Sequence, residues 1–440
     1  CMAAYEELAQ EKLASVVAVK QQMLEFFYND DEFHQLLRWA EKQQVLTSIQ
    51  ADIVKTSRSA RPPLDIIEDQ CRKTAEELAQ SSVILCVYGN VNVGKSTLCN
   101  LLLGKKLLHV TNVQCTAVIT TVSSSPEQST SGKVQFEDTA DVPEIVERVE
   151  RNQKGLCDIK SWQECRDLLL RLDKKRKKLS SDTVALEDYH TELPIVSGLY
   201  PELRKENIFQ RIELNSPVLG FTAPGLCLMD CPGTLENEYL THMAKSGVQL
   251  SSVIFYVLDS FTELTDNELR FLSCQVRNGS YVFFIFNRND KDSEDLLEQR
   301  ISKIRNQLSS VPEFSATTIY ILNLFNAVEY VTAAGEAAEE KSAVFKEKDT
   351  FNKLLKDIMN VVQLKMRSMI FQFARSFFHL LHTHFLLLSK IISHKMRLTL
   401  PRRNSVRSAL FRTTEGPTEI ELKMVELTKQ IKKLLSKADQ

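Results

Sequence analysis

The run Gly89-Asn90-Val91-Asn92-Val93-Gly94-Lys95-Ser96 constrains this chain more than any other stretch. The apolar segment Val83–Tyr88 leads into it, and Thr97-Leu98-Cys99-Asn100-Leu101-Leu102-Leu103 continues from it in a helical pattern. Strand, glycine-rich turn and helix, in that order, make a phosphate cradle. Gly89 and Gly94 allow the backbone turn that points successive N–H groups at one anion, and the helix N-terminus adds unpaired donors. Residues Gly89 through Thr97 are therefore expected to touch a nucleotide. Lys95 is expected to reach the outer phosphates and Ser96 to hold Mg²⁺ through its hydroxyl. The fold class that follows is α/β: a P-loop domain with a mostly parallel central sheet, joined to a four-helix bundle built from both chain ends.

With 440 residues the chain has room for such a domain plus helical additions. A net charge of −2 gives no basis for a nucleic-acid binder that works by bulk electrostatics. Ten cysteines lack C-x-x-C spacing, and Cys86, Cys99, Cys227 and Cys231 sit in or beside apolar segments, as small core residues do. Residues 1–80 read as N-terminal helices of the bundle, with apolar residues at three- and four-residue spacings. Residues 81–330 carry seven strand candidates, at 83–88, 117–123, 210–214, 226–229, 253–258, 281–286 and 318–322, alternating with helical stretches. Residues 123–132 read as an exposed loop, and the basic run Lys174–Lys178 as a solvated helix end. Residues 331–412 include a long helical pattern over about 350–397, and residues 413–440 form a last bundle helix. Thr413–Pro417 resembles a joint across an omitted region.

Two further segments extend the site. Leu226–Met229 leads into Asp230-Cys231-Pro232-Gly233, where a strand-end carboxylate binds Mg²⁺ through water and a glycine N–H senses the γ-phosphate. Val282–Phe286 delivers Asn287-Arg288-Asn289-Asp290. A guanine edge offers N1–H and an amino group, and a single carboxylate accepts both hydrogens. Asp290 is thus the expected base reader and Asn287 its loop-ordering partner. Arg288 accompanies them, and Asn323, after the last strand candidate, completes the base side. The cation also needs a threonine from a mobile segment. Thr111, Thr116, Thr120 and Thr121 are available, and Thr116 fits best because it precedes the strand start Ala117-Val118-Ile119. Thr234 follows Gly233 where a glutamine would orient water, so Gln114 is the candidate for that task. The expected reaction is GTP hydrolysis, with Lys95, Ser96, Thr116, Gln114 and Gly233 catalytic and Ser96, Thr116 and Asp230 around Mg²⁺. Loss of the γ-phosphate is expected to release segments 105–116 and 233–240.

On these motifs the chain resembles the dynamin superfamily, closest to its mitofusin and fuzzy-onions branch and bacterial dynamin-like relatives. Asp230-Cys231-Pro232-Gly233-Thr234 is similar to that branch's aspartate–x–proline–glycine–threonine form. Asn287-Arg288-Asn289-Asp290 is similar to its asparagine–arginine–tryptophan–aspartate motif, with Asn289 in the tryptophan's place. Thr116 falls on the switch threonine and Gln114 where mitofusins carry a histidine. The interval between Thr116 and Asp230 is longer than in typical members, residues 124–205 supplying the excess. The resemblance implies a GTPase that pairs with a second copy through its nucleotide face, and a helical bundle that moves on hydrolysis. It also implies tethering or fusion of membranes through a region absent from this chain, at the cytosolic face of an organelle, the mitochondrial outer membrane first.

Overall fold

The computed structural model describes residues 82–110, 116–125, 129–152, 159–199, 203–204, 206–217, 225–234, 238–289, 293–333 and 345–372, together with Ala18 and Gln21. The chain divides into two compact units, one of Cys1–Glu11 and Ser82–Val362, the other of Lys12–Ser81 and Gln363–Gln440. The expected helical bundle and the joint at 413–417 lie outside the described residues, apart from the start of the long helix, seen here over 348–372.

In the first unit the order is β1 (Val83–Gly89), α1 (Lys95–Leu103), β2 (Ile119–Ser124), β3 (Ser131–Phe136), α2 (Val142–Asn152), α3 (Ile159–Leu179), β4 (Thr183–Ala185) and α4 (Tyr189–Gly198). Then follow β5 (Phe209–Ser216), β6 (Leu226–Asp230), α5 (Glu238–Gln249), β7 (Val253–Asp259), α6 (Asp266–Arg277) and β8 (Tyr281–Asn287). The unit continues through α7 (Glu294–Ser309), β9 (Ile319–Leu322) and α8 (Leu324–Thr332) and ends at Val362, within α9 (348–372). The strands form a nine-stranded sheet in the order β4-β3-β5-β2-β6-β1-β7-β8-β9.

The sheet is mixed, which corrects the expectation of a mostly parallel one. β6, β1, β7, β8 and β9 run parallel, but β2 pairs with β6 antiparallel, and β3 is antiparallel to both β4 and β5. β3 and β4 fall where no strand was expected. Ser131-Gly132-Lys133 continues a serine-rich run whose composition reads as loop. It becomes strand because Gly132 lets Leu186 and Leu214 close on it, with 3.0 and 3.2 Å to the Cβ it lacks, and Val134 and Phe136 fill the core behind. α4 and α8 were likewise not anticipated.

The central strands explain themselves. Val83–Gly89, Val253–Asp259 and Tyr281–Asn287 are nearly continuous apolar runs buried on both faces, as parallel strands covered by helices must be. The helices begin at capping side chains: Thr265 accepts from Glu268 N–H, Ser293 from Leu296 N–H, Asn323 from Asn326 N–H and Asp188 from His190 N–H. The cysteines Cys86, Cys99, Cys227 and Cys231 are free and buried. The basic end of α3 is tied to carboxylates: Arg176 and Lys177 pair with buried Asp173, and Lys175 with Glu187.

Candidate nucleotide site

The phosphate loop leaves β1 at Gly89 and enters α1 at Lys95. Gly89 has φ 150°, and a Cβ there would lie 2.5 Å from the Val257 carbonyl oxygen, so only glycine lets β1 and β7 approach so closely. Gly94 caps α1 at φ 99°, and Asn92 also has positive φ, 61°. Val93 is fully buried, whereas Val91 and Asn92 face outward in part or whole. Lys95 is buried and its Nζ donates to the Asn90 carbonyl at 2.7 Å, arching back over the loop.

Three oxygen-bearing side chains converge just inside this loop. Ser96 Oγ donates to Asp230 Oδ2 at 2.6 Å, Thr116 Oγ1 reaches the same oxygen at 3.3 Å, and the two hydroxyls are 3.0 Å apart. Asp230 ends β6 and is 3% exposed. Its other oxygen, Oδ1, is buried with no hydrogen-bond partner. Burial pushes this carboxyl's pKa up, against the pull of the Ser96 hydroxyl, the Lys95 ammonium and the Thr116 hydroxyl. An unsatisfied buried carboxylate oxygen is costly, and here the same carboxyl's other oxygen, Oδ2, holds the two hydroxyls. Hydroxyl and carboxylate oxygens are the donors a hard divalent cation takes, and Mg²⁺ in particular is held by one or two protein carboxylates plus phosphates rather than by a full protein cage. The residues present fit that cation. Among the described residues no group of three His, Cys, Asp or Glu side chains offers an alternative metal site.

The segment after Asp230 is laid onto the loop. Thr234 N–H donates to the Gly89 carbonyl at 3.2 Å, and Thr234 Oγ1 to Asn90 Oδ1 at 2.6 Å. Gly233 passes so close that a Cβ would be 2.7 Å from Val91 Cα. The Thr234 hydroxyl is thus committed to the loop. Its partner Asn90 was anticipated only as a member of the loop, because no spacing rule joins two residues 144 positions apart.

On the other flank Asn287 joins two loops. Its Nδ2 donates to the Val93 carbonyl at 3.0 Å, and its Oδ1 accepts from Leu324 N–H at 3.1 Å. Arg288 turns away from the phosphate loop, pairing with Glu294 at 3.3 Å and Glu347 at 3.5 Å. Asn323 is buried and uses Oδ1 to cap α8. Thr120 and Thr121 lie within β2, and half-buried Thr97 borders a cavity of about 430 Å³ between α1, α4 and α8. Gln114 and Asp290 lie outside the described residues. A residue not anticipated is Asn100, whose side chain accepts from Leu107 and Leu108 N–H at 3.0 and 2.8 Å and donates to the Leu108 carbonyl at 2.8 Å, closing the turn after α1.

Residues 85–289 match the family model described as "Dynamin family". A protein of Caldicellulosiruptor sp. described as uncharacterised, in the xynA 3' region, is 24% identical over 285 residues, 64% of this chain and 58% of that protein. A bacterial dynamin-like protein of Nostoc punctiforme is 24% identical over 289 residues, 65% of this chain and 35% of its own length. Among solved structures, an oligomerised bacterial dynamin pair described as a mechanism for long-range sensing and tethering of membranes aligns with TM-score 0.45 and 17% identity, over 90% of this chain and 54% of that one. The chain therefore spans only part of the length of these relatives. Over residues 85–289 the chain is thus similar to the dynamin family, and it is similar to bacterial dynamin-like proteins.

Proposed function

We propose that residues 82–333 bind GTP with Mg²⁺ and hydrolyse it to GDP and phosphate, and that the cycle drives pairing with a second copy and membrane tethering, fusion or remodelling. The observation that carries the reading is the convergence of Ser96, Thr116 and Asp230, within 3.3 Å of one another and with one carboxylate oxygen unpartnered, beneath a glycine loop that ends in Lys95. Ser96, Thr116 and Asp230 would hold Mg²⁺, which when bound neutralises charge on the outer phosphates. The loop N–H groups and Lys95 stabilise charge on the transferring phosphoryl group as water attacks the γ-phosphorus in line with the departing GDP oxygen. Gly233 brings its N–H to the γ-phosphate because it has no Cβ to keep Val91 away. Asn287 fixes the base-side loops to the cradle, and Asp290 reads guanine. The Thr234 hydroxyl is held by Asn90, so it does not orient the attacking water, and that task falls to Gln114.

Pairing through the nucleotide face and action on membranes rest on kinship with bacterial dynamin-like proteins. The placement within the mitofusin branch, and with it the mitochondrial outer membrane, rests on residues 230–234 and 287–290 alone. No helix among the described residues is long and apolar enough to cross a membrane. Phosphate release measured across protein concentration tests the proposal. A rate per molecule that rises with concentration is expected. Tight GTP binding with no release at any concentration would replace the enzyme with a nucleotide-stabilised scaffold.

A further inference from the structure

We propose that Arg204 is a positioning residue for Thr116, acting through the last turn of α4; the inference rests on the Mg²⁺·GTP reading above. Thr116 holds its hydroxyl 3.0 Å from Ser96 Oγ and 3.3 Å from Asp230 Oδ2, yet it precedes β2 and takes no part in the sheet. Its neighbour Ala117, 3% exposed, donates its N–H to the Ser197 carbonyl at 2.7 Å. Among the described residues this is the backbone anchor nearest to Thr116 ahead of the strand.

The anchor belongs to a helix end whose carbonyls are shared between two segments. The last carbonyls of a helix have no partner within it. At the end of α4, Ser197 gives its carbonyl to Ala117, while Gly198 and Leu199 give theirs to Arg204 Nε at 3.0 and 3.2 Å. Leu199 has φ 40°, an unfavourable conformation for a residue with a branched side chain, and one that persists where its surroundings enforce it. Arg204 supplies that enforcement. The opposite end of α4 is fixed independently: buried Glu192 pairs with Arg171 of α3, and its Oε2 accepts from Glu187 N–H at 2.8 Å. Between α4 and residues 107–110, the stretch that leads toward Thr116, lies the cavity of about 430 Å³. Among the described residues the Ala117–Ser197 bond is then the backbone contact that positions the threonine. Without Arg204 the turn at 197–199 relaxes, the Ser197 carbonyl shifts, and the Thr116 hydroxyl moves off the cation's place.

The test uses the full chain with Arg204→Met, Arg204→Lys and a fluorescent GDP or GTP, whose release is timed in EDTA and over a Mg²⁺ titration, alongside GTP hydrolysis. Release in EDTA should match wild type within about twofold, because the phosphate loop is untouched. Slowing of release should need about tenfold more Mg²⁺ for Arg204→Met, with kcat about tenfold lower and KM nearly unchanged, the range typical of residues that orient metal ligands. Arg204→Lys, which keeps a donor and the charge, should recover part of both. A Mg²⁺ titration and kcat equal to wild type, even with a lowered melting temperature, would overturn the inference. So would losses of the same size in EDTA and in Mg²⁺, which indicate a general loosening of the domain. A wild type that binds no GTP defeats the proposed function and this inference together, whereas a wild type that responds to Mg²⁺ beside an unaffected Arg204→Met defeats this one alone.

Discussion

On one side of β1 the sheet continues through β7, β8 and β9, all parallel; on the other it runs through β6, β2, β5, β3 and β4 and changes direction. The two sides differ in burial as well as direction. β7 and β8 are buried along nearly their whole length, whereas β3 and β5 alternate buried and accessible residues. The parallel side ends in Asn287, which is fastened to the phosphate loop and to α8. On the other side Thr116 reaches the same loop through its hydroxyl, and Asp230 reaches it from the end of β6, which is itself buried and parallel to β1. Strands buried on both faces make a rigid seat for the part of a nucleotide that stays bound. Segments attached by a few polar contacts suit the part that must respond when one phosphate leaves. On the proposed GTP reading the difference would amount to a division of labour, the parallel side retaining the ligand and the mixed side reporting its state.

The largest effect should follow from removing the charge that both sides share. Lys95→Ala deletes the buried ammonium that arches back over the loop to the Asn90 carbonyl. GTP affinity, read by titration calorimetry, should fall by about 10³-fold, some 4 kcal/mol. Micromolar binding by Lys95→Ala would break the assignment of the whole site. Next comes Gly89→Ala, which strikes the join between β1 and β7. A Cβ 2.5 Å from the Val257 carbonyl oxygen, at φ 150°, cannot be relieved by a side-chain rotation because the obstacle is backbone. A loss of about 3 kcal/mol in denaturant unfolding is expected. A loss under about 1 kcal/mol would mean that the parallel side is softer than its burial implies.

Thr116→Ala sharpens the comparison from the other side. Its hydroxyl touches Ser96 and Asp230 but no part of the parallel half's described contacts. GTP binding in EDTA should stay within about threefold of wild type, while Mg²⁺-dependent hydrolysis falls by about 10–100-fold. Equal losses in binding and hydrolysis would erase the distinction between seat and reporter.

Legibility followed the same line. The apolar runs of β1, β6, β7 and β8 announced themselves, because strands covered on both faces need no polar residues. The phosphate loop and Asp230–Gly233 were readable because each residue type serves a local need: a turn, a donor, a strand-end carboxylate. β3 was missed because Ser131, Gly132 and Lys133 look like a loop, and their strand character comes from β5, about 80 residues away. The ion pairs of Arg288 were not legible for a related reason. It lies in the base motif, yet its partners Glu294 and Glu347 are set by α7 and by the chain before α9, which no motif encodes. The Asn90–Thr234 and Ala117–Ser197 bonds were invisible on the same grounds, being contacts between loops brought together by the sheet.

The smallest expected effect probes the core under the parallel side. Glu268 of α6 is buried and accepts from the Tyr88 hydroxyl at 3.0 Å, with Tyr256 nearby. Burial raises its pKa above 4.5, against the Tyr88 hydrogen bond and the Lys245 charge, which lower it. A folded-state pKa above the unfolded one means that the folded state binds the proton more tightly. This contribution to stability is fully present below about pH 4.5 and is lost as pH rises through the folded pKa. Glu268→Gln keeps an acceptor for Tyr88 and removes the titration. Relative to wild type it should be more stable at pH 7, read as a higher melting temperature, and the gain should shrink as pH falls toward 4.5. A difference that does not shrink as pH falls toward 4.5 would show that water reaches this carboxylate. The parallel side would then be less tightly closed over its seat than the mixed side is over Asp230.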